Sequence, residues 1–219
     1  MNLLIDVKIE NKKIIIAGGG SLAERKVKNL LPFNPEIYVI SKTFTPFLQG
    51  LQSQDQVHLI EGDLLHNQGL LDQFKDAILV YAATDNKQLN TLVAESAREN
   101  KILVCAIDKP DICDFFTPAT LKKGSIRVGI CTDGKSPLMS KMLKDRFSNL
   151  LTNQDALQVE LQHHVREIAK LEIRDIKERR DLLYEIYQSE EINQLLKKGQ
   201  LDAAKRRVEK IMRLDHENE

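Results

Sequence analysis

One stretch limits what this chain can become: Lys12-Lys13-Ile14-Ile15-Ile16-Ala17-Gly18-Gly19-Gly20-Ser21-Leu22-Ala23-Glu24-Arg25-Lys26. Four small or β-branched apolar residues read as a short buried strand, three glycines as a turn, and the following residues as the opening of a helix. Gly18 suits the tight turn, Gly20 lets backbone approach a pyrophosphate, and Ala23 is small enough for the helix to pack closely on the strand. This is the G-x-G-x-x-A form of the dinucleotide fingerprint, with phosphate expected at the helix N-terminus. A glycine-rich turn without a ligand is the plainer alternative. The strand–turn–helix setting favours the fingerprint, with Gly18, Gly19, Gly20, Ser21, Leu22 and Ala23 as its cofactor-binding residues.

The next hundred residues alternate strand and helix. Leu22, Ala23, Val27, Leu30 and Leu31 recur at helical spacing, and Pro32 and Pro35 end that helix. Residues 37–40 form a second strand, Pro46 opens a helix, and residues 57–60 form a third strand closed by Gly62-Asp63. Ala77 to Ala83 is an apolar run of the kind found in central parallel strands. Thr84-Asp85-Asn86 caps a helix running to about Asn100, and residues 102–107 form a fifth strand ending at Asp108. Such alternation predicts a parallel sheet covered on both faces, a Rossmann-type α/β fold.

The pattern then changes. Phe115-Phe116 and residues 126–130 read as an antiparallel strand pair joined by a turn at Lys122-Lys123-Gly124-Ser125. Beyond Leu138 only helices are expected: 138–151, a broken 155–188, 189–198 and 200–214, with Gly199 as the stop between the last two. The expected division is a nucleotide-binding domain over 1–113, a short antiparallel region over 114–150 and an all-helical domain over 151–219.

Charge excludes other classes. Thirty-two basic and 32 acidic residues cancel, so nothing global attracts nucleic acid or a membrane surface. No apolar run approaches the ~18 residues of a membrane span, and the first residues lack a signal peptide's pattern. Cys105, Cys113 and Cys131 are few and scattered, which argues against a disulfide framework or a zinc motif and for a reducing cytoplasm. They read as small apolar fillers. His163 and His164 are adjacent on a helix, point in different directions, and suggest no metal site.

In a doubly wound sheet, ligands bind beyond the carboxyl ends of the strands. Besides the glycine turn, Ser41-Lys42, Thr84-Asp85-Asn86 and Asp108 fall there. Ser41 stands where an acidic residue often reads the ribose, and Lys42 is either a 2′-phosphate partner or a solvated lysine. Thr84-Asp85-Asn86 is either a helix cap or a cofactor contact. Asp108 is either a turn former or a general base. Gly134-Lys135-Ser136-Pro137 opens a helix without P-loop spacing, and suits an anion site or a plain cap.

Taken together, the glycine turn with Glu24-Arg25-Lys26, Ala83-Thr84-Asp85-Asn86, Asp108-Lys109-Pro110, Cys113-Asp114-Phe115 with Pro118-Ala119, and Gly134-Lys135-Ser136-Pro137 resemble the precorrin-2 dehydrogenases of the siroheme-synthase family. The resemblance covers residues 1–150 in order and the helical tail more weakly. It implies an NAD-binding domain, a homodimer formed through a dimerisation region at 114–150, a C-terminal helical domain and NAD-dependent oxidation of precorrin-2 to sirohydrochlorin, with Asp108 as the catalytic residue. Some members also insert ferrous iron into sirohydrochlorin, and the resemblance leaves that activity open. The substrate is a polycarboxylate, which gives Lys135, Ser136 and Lys109 a role as its partners by charge complementarity. The chain departs from the family at Cys105-Ala106-Ile107, where an Asn is common. It departs again at Cys131-Thr132-Asp133-Gly134, where Asp133 adds negative charge. A nucleotide-sensing domain, which would not need Asp108, and a dehydrogenase for another small metabolite remain as competing readings.

Overall fold

The computed structural model describes residues 2–107 and 109–216. These fall into two compact units, one spanning Ile5–Thr117 and the other running from Pro118 onward with the N-terminal residues up to Leu4.

In the first unit, β1 (Lys13–Ala17), β2 (Glu36–Ser41), β3 (His58–Glu61), β4 (Leu79–Ala82) and β5 (Leu103–Ala106) form one sheet. Its order is β3-β2-β1-β4-β5 and every pairing is parallel. Helices α1 (Ser21–Leu30), α2 (Pro46–Gln52) and α3 (Lys87–Glu99) supply crossovers, while a 3-10 stretch at Gln68–Phe74 lies between β3 and β4. The Rossmann-type sheet expected from the alternation is therefore present.

Side chains of successive strand residues point to opposite faces, and the isoleucine run uses this. Ile14 and Ile16 face a layer containing Ala23, Val27 and Leu48 of α1 and α2. Ile15 and Ala17 face a second layer with Phe74 and with Val93 and Ala97 of α3. Both faces are covered, which is why β1 reads as an unbroken apolar run instead of an alternating one. Each fully buried isoleucine contributes on the order of 1.5–3 kcal/mol.

In the second unit, β6 (Ala119–Lys123) and β7 (Ile126–Ile130) pair antiparallel, followed by α4 (Pro137–Leu150), α5 (Asn153–Glu172), α6 (Ile176–Gln188), α7 (Glu190–Lys197) and α8 (Leu201–His216). The hairpin corrects two expectations. Phe115-Phe116 is not a strand, and Lys122-Lys123 belong to β6, so the loop shrinks to Gly124-Ser125. Gly124 takes φ +57°, as short hairpin turns require, and Pro118, which lacks an N–H, immediately precedes the paired segment. Phe115 instead packs edge-on against Tyr81, with ring centroids 5.3 Å apart. The hairpin turn meets the helices directly: Ser125 donates to Glu160, and a Cβ on Gly124 would lie 2.8 Å from the Cβ of Ala156. The hairpin and α4 thus share a unit with α5–α8, where the sequence had suggested a separate region over 114–150.

Helix ends follow local chemistry. The expected break in 155–188 falls at residues 173–175, where Asp175 caps α6. Thr152 and Asp155 form a capping box on α5. Gly199 (φ +76°) ends α7 in a Schellman motif: its N–H bonds Leu196 and the Gln200 N–H bonds Leu195. Leu161, Val165, Ile186, Ile192, Leu196 and Val208 form this unit's core. Among the described residues no helix is long and apolar enough to cross a membrane.

Candidate functional site

The strand order reverses at β1, with β2 and β3 lying to one side of it and β4 and β5 to the other. At that point, beyond the strands' carboxyl ends, lies a cleft of about 470 Å³. A doubly wound sheet opens its ligand crevice there, because the connections from neighbouring strands run to opposite faces. The walls come from Gly18–Leu22, Ser41–Thr43, Gly62–Leu65 and Ala83–Asn86, with Ile40 and Leu89.

The three glycines have separate duties. Gly18 takes φ +119°, and a Cβ there would stand 2.4 Å from the carbonyl oxygen of Ala83. Its N–H bonds Ile40, so this residue knits β1 to β2 as the chain turns. A Cβ on Gly19 would meet the carbonyl oxygen of Thr43 at 2.0 Å, and the Gly19 carbonyl accepts from Thr45 N–H. Gly19 is therefore a packing requirement of the β2–α2 loop, a role its sequence position does not reveal. Around Gly20 a Cβ would meet nothing within 4 Å. Gly20 is the N-cap of α1 without a side chain to fill the cap. The first N–H groups of α1 consequently have no intrahelical acceptor and face open space beside the positive end of the helix dipole. A cradle of this shape, open at Gly20 and closed at Gly18 and Gly19, fits a dinucleotide pyrophosphate.

Ten of the eleven expected cofactor residues line the cleft: Gly18, Gly19, Gly20, Ser21, Leu22, Ser41, Lys42, Thr84, Asp85 and Asn86. Ala23 does not. It is fully buried between α1 and the sheet, where its small side chain permits close packing.

At the β4 end, the expected helix cap is present. Asn86 Oδ1 accepts from Gln88 N (2.9 Å) and Leu89 N (3.0 Å), capping α3. The hydroxyl of Thr84 donates to Asn90 Oδ1 at 2.7 Å, and Asn90 Nδ2 returns a bond to the Thr84 carbonyl. Buried Asn90, absent from the sequence expectations, holds this corner in place. Asp85 is left exposed at the cleft.

At the β2 and β3 ends, Lys42 Nζ lies 2.6 Å from Asp63 Oδ2, and His66 Nδ1 lies 2.5 Å from the same oxygen. Leu65 N–H donates to Asp63 Oδ1 at 3.0 Å. The Lys42 ammonium and then the His66 ring hold the Asp63 carboxyl well below the usual carboxylate range. Neither alternative raised for Lys42, solvated or phosphate-bound, included this partner. The available signal was Gly62-Asp63 itself, an acidic residue at a strand's carboxyl end.

Asp108 lies outside the described residues. The segment after it folds back along edge strand β5. Cys113 Sγ accepts from Ala106 N–H (3.2 Å) and donates to the Ala106 carbonyl (3.0 Å), while Asp114 accepts from Val104 N–H and pairs with Arg98. Of the three cysteines only Cys105 is a buried filler, its thiol pushed up to about 12 by burial. Cys113 is a polar pin and Cys131 is exposed, because β5 needs its edge groups bonded and β7 ends at the surface. Lys109 Nζ bonds Thr91 Oγ1 at 2.8 Å. In the other unit, Ser136 caps α4 through Met139 N–H, so the loop at Gly134-Lys135-Ser136 does serve as a cap.

Comparison with known proteins agrees with this geometry. Residues 5–119 match a family model described as "Putative NAD(P)-binding". A precorrin-2 dehydrogenase of Methanosarcina barkeri is 33% identical over 192 residues, covering 87% of this chain and 84% of that protein. A siroheme synthase of Mannheimia succiniciproducens is 28% identical over 209 residues, covering 95% of this chain and 43% of that protein. The chain spans about four-tenths of the length of the siroheme synthases it matches. Among solved structures, SirC, a precorrin-2 dehydrogenase, superposes with a TM-score of 0.75 at 19% identity, covering 95% of this chain and all of that one. It shares the fold.

Proposed function

The chain belongs to the precorrin-2 dehydrogenase family, and on that premise we propose that it oxidises precorrin-2 to sirohydrochlorin with NAD held in the cleft. The observation that carries the reading is the cradle at Gly18–Leu22, where a Cβ would clash at Gly18 and Gly19 and meet nothing within 4 Å at Gly20.

Oxidation removes two hydrogens from the tetrapyrrole, one as hydride and one as a proton. The nicotinamide, when bound, supplies the hydride acceptor. The protein's residues bind and orient. The α1 N–H groups hold the pyrophosphate, Ser41 serves the ribose, and the backbone of residues 84–86, kept in place by Asn90, borders the nicotinamide end. Asp108 takes the proton as general base, an assignment that rests on the resemblance of Asp108-Lys109-Pro110 to the family's sequence pattern. For the substrate's carboxylates we assign Lys135, with Ser136 and Lys109, whose bonds within the chain leave donors over: Ser136 Oγ accepts from Met139 N–H, and the Lys109 ammonium spends one of three on Thr91. A second copy of the chain is the partner assigned to α4, whose Leu138, Met139, Met142 and Leu150 are exposed. The free cysteines suit a cytoplasmic setting.

Anaerobic incubation with enzymatically generated precorrin-2 and NAD+, followed by the sirohydrochlorin spectrum, tests the proposal. Product should form only with NAD+. Adding ferrous iron then shows whether metal insertion is accelerated, for which no residue set is assigned. NAD binding without product would instead support a sensor.

A further inference from the structure

Resting on the dinucleotide reading of the cleft, we propose that Asp63 makes the site selective for NAD over NADP, by placing a fixed carboxylate where a 2′-phosphate would lie and by occupying Lys42.

The reasoning starts from a missing residue. In this fold the end of β2 reads the adenosine ribose, usually through a carboxylate on that strand. Here β2 ends at Ser41 and is followed by Lys42, a cation that a phosphate could use. The neighbouring strand changes that prospect. Because β3 pairs with β2 in parallel register, with Ser41 opposite Glu61, the residues following both strands emerge side by side. Asp63 thus enters the same wall of the cleft as Lys42.

Its bonds define what it can still accept. A carboxylate offers about four lone-pair sites. Oδ2 is taken by Lys42 and His66, and Oδ1 by one bond from Leu65 N–H. One position on Oδ1 remains for a further donor, which a ribose hydroxyl is and a phosphate dianion is not. An exposed ion pair alone would be weak, and a phosphate could draw Lys42 away. Asp63 would stay, because the backbone N–H of Leu65 and the ring of His66 hold it independently of Lys42. A 2′-phosphate would then face a like charge. The position bears on a choice the sequence left open, between a 2′-phosphate partner and a solvated lysine at Lys42.

The test is direct binding of NADH and NADPH to the full chain, followed by nicotinamide fluorescence, for the wild type, Asp63→Asn and Asp63→Asn/Lys42→Ala. Wild type should bind NADH at least about tenfold tighter, the scale of one charge-assisted hydrogen bond. Asp63→Asn keeps the side chain's size and should shift the NADPH/NADH affinity ratio toward NADPH by about tenfold. The added Lys42→Ala change should reverse that gain. A wild-type preference for NADPH, or a ratio unchanged in Asp63→Asn, overturns the role of Asp63 while leaving the cleft's assignment intact. Binding of neither dinucleotide by wild-type protein overturns the cleft's assignment itself. Equal melting temperatures of the apo proteins separate a change of selectivity from loss of folding.

Discussion

Adjacent glycines in the turn should fail in opposite ways. At Gly19 a Cβ would be 2.0 Å from the backbone oxygen of Thr43, more than 1 Å inside ordinary contact, and the next loop residues are tied to the turn by the Thr45 N–H bond to the Gly19 carbonyl. Overpacking of this kind costs roughly 1–3 kcal/mol where neighbours can yield. At the upper end of that range, Gly19→Ala should cost about 3 kcal/mol, a fall of roughly 6–12 °C in Tm for a chain of this size. Gly20 is different. It occupies the N-cap of α1 at φ −87° and ψ −166°, extended backbone any residue adopts, and its surroundings are open. Aspartate is among the best N-cap residues, and its charge suits the helix dipole. Gly20→Asp should therefore leave the apo Tm unchanged or raise it slightly, while its carboxylate takes the pyrophosphate's place. Melting each protein with and without NADH checks both halves. Ligand at 100 times Kd stabilises a competent site by about 2.7 kcal/mol, and Gly20→Asp should lose that increment entirely. A large drop in apo Tm for Gly20→Asp, a retained NADH shift, or an undisturbed Gly19→Ala would refute the division of labour.

Three further outcomes are expected. Asp108→Ala should lower turnover by about 10²–10⁴-fold without altering NADH affinity; unchanged rates would remove this residue from the mechanism. Met142→Glu places a charge on the outward face of α4, where Leu138, Met139, Met142 and Leu150 lie within roughly a third of the helix circumference. It should convert a dimer to monomers in light scattering with little change in melting, and a wild-type monomer would discount that face. Asp155→Ala removes the capping box of α5 and should cost about 1 kcal/mol. The Thr152 backbone N–H and hydroxyl lower the Asp155 pKa in the folded state. That contribution is thus complete above the unfolded carboxyl value and lost as pH falls through the folded one. The Tm gap between this variant and wild type should narrow on acidification, and a gap that widens would contradict the cap.

Much of this protein is local in origin, and so was legible early. A turn of three glycines between an isoleucine run and Leu22–Leu30 can only be a strand, a turn and a helix. The apolar run before Thr84 needed both its faces covered. Gly199 could end α7 because a left-handed residue there costs glycine nothing. The hairpin misled because Phe115-Phe116 has strong strand propensity but no partner strand, whereas Ala119–Lys123, more exposed at alternate residues, has one. Propensity is a property of a segment; pairing is not.

What the tertiary structure alone decided lies sideways across the sheet. Lys42 and Asp63 are 21 positions apart and meet because β2 and β3 are neighbours. Gly19 needs no side chain because Thr43 lies over it, and Thr84 stays in place because α3 turns Asn90 back beneath it. Periodicity and turn chemistry act over a few residues and are written in the chain as read. Which strand ends stand beside which follows from the order β3-β2-β1-β4-β5, and that order is set by burying both faces of the sheet at once.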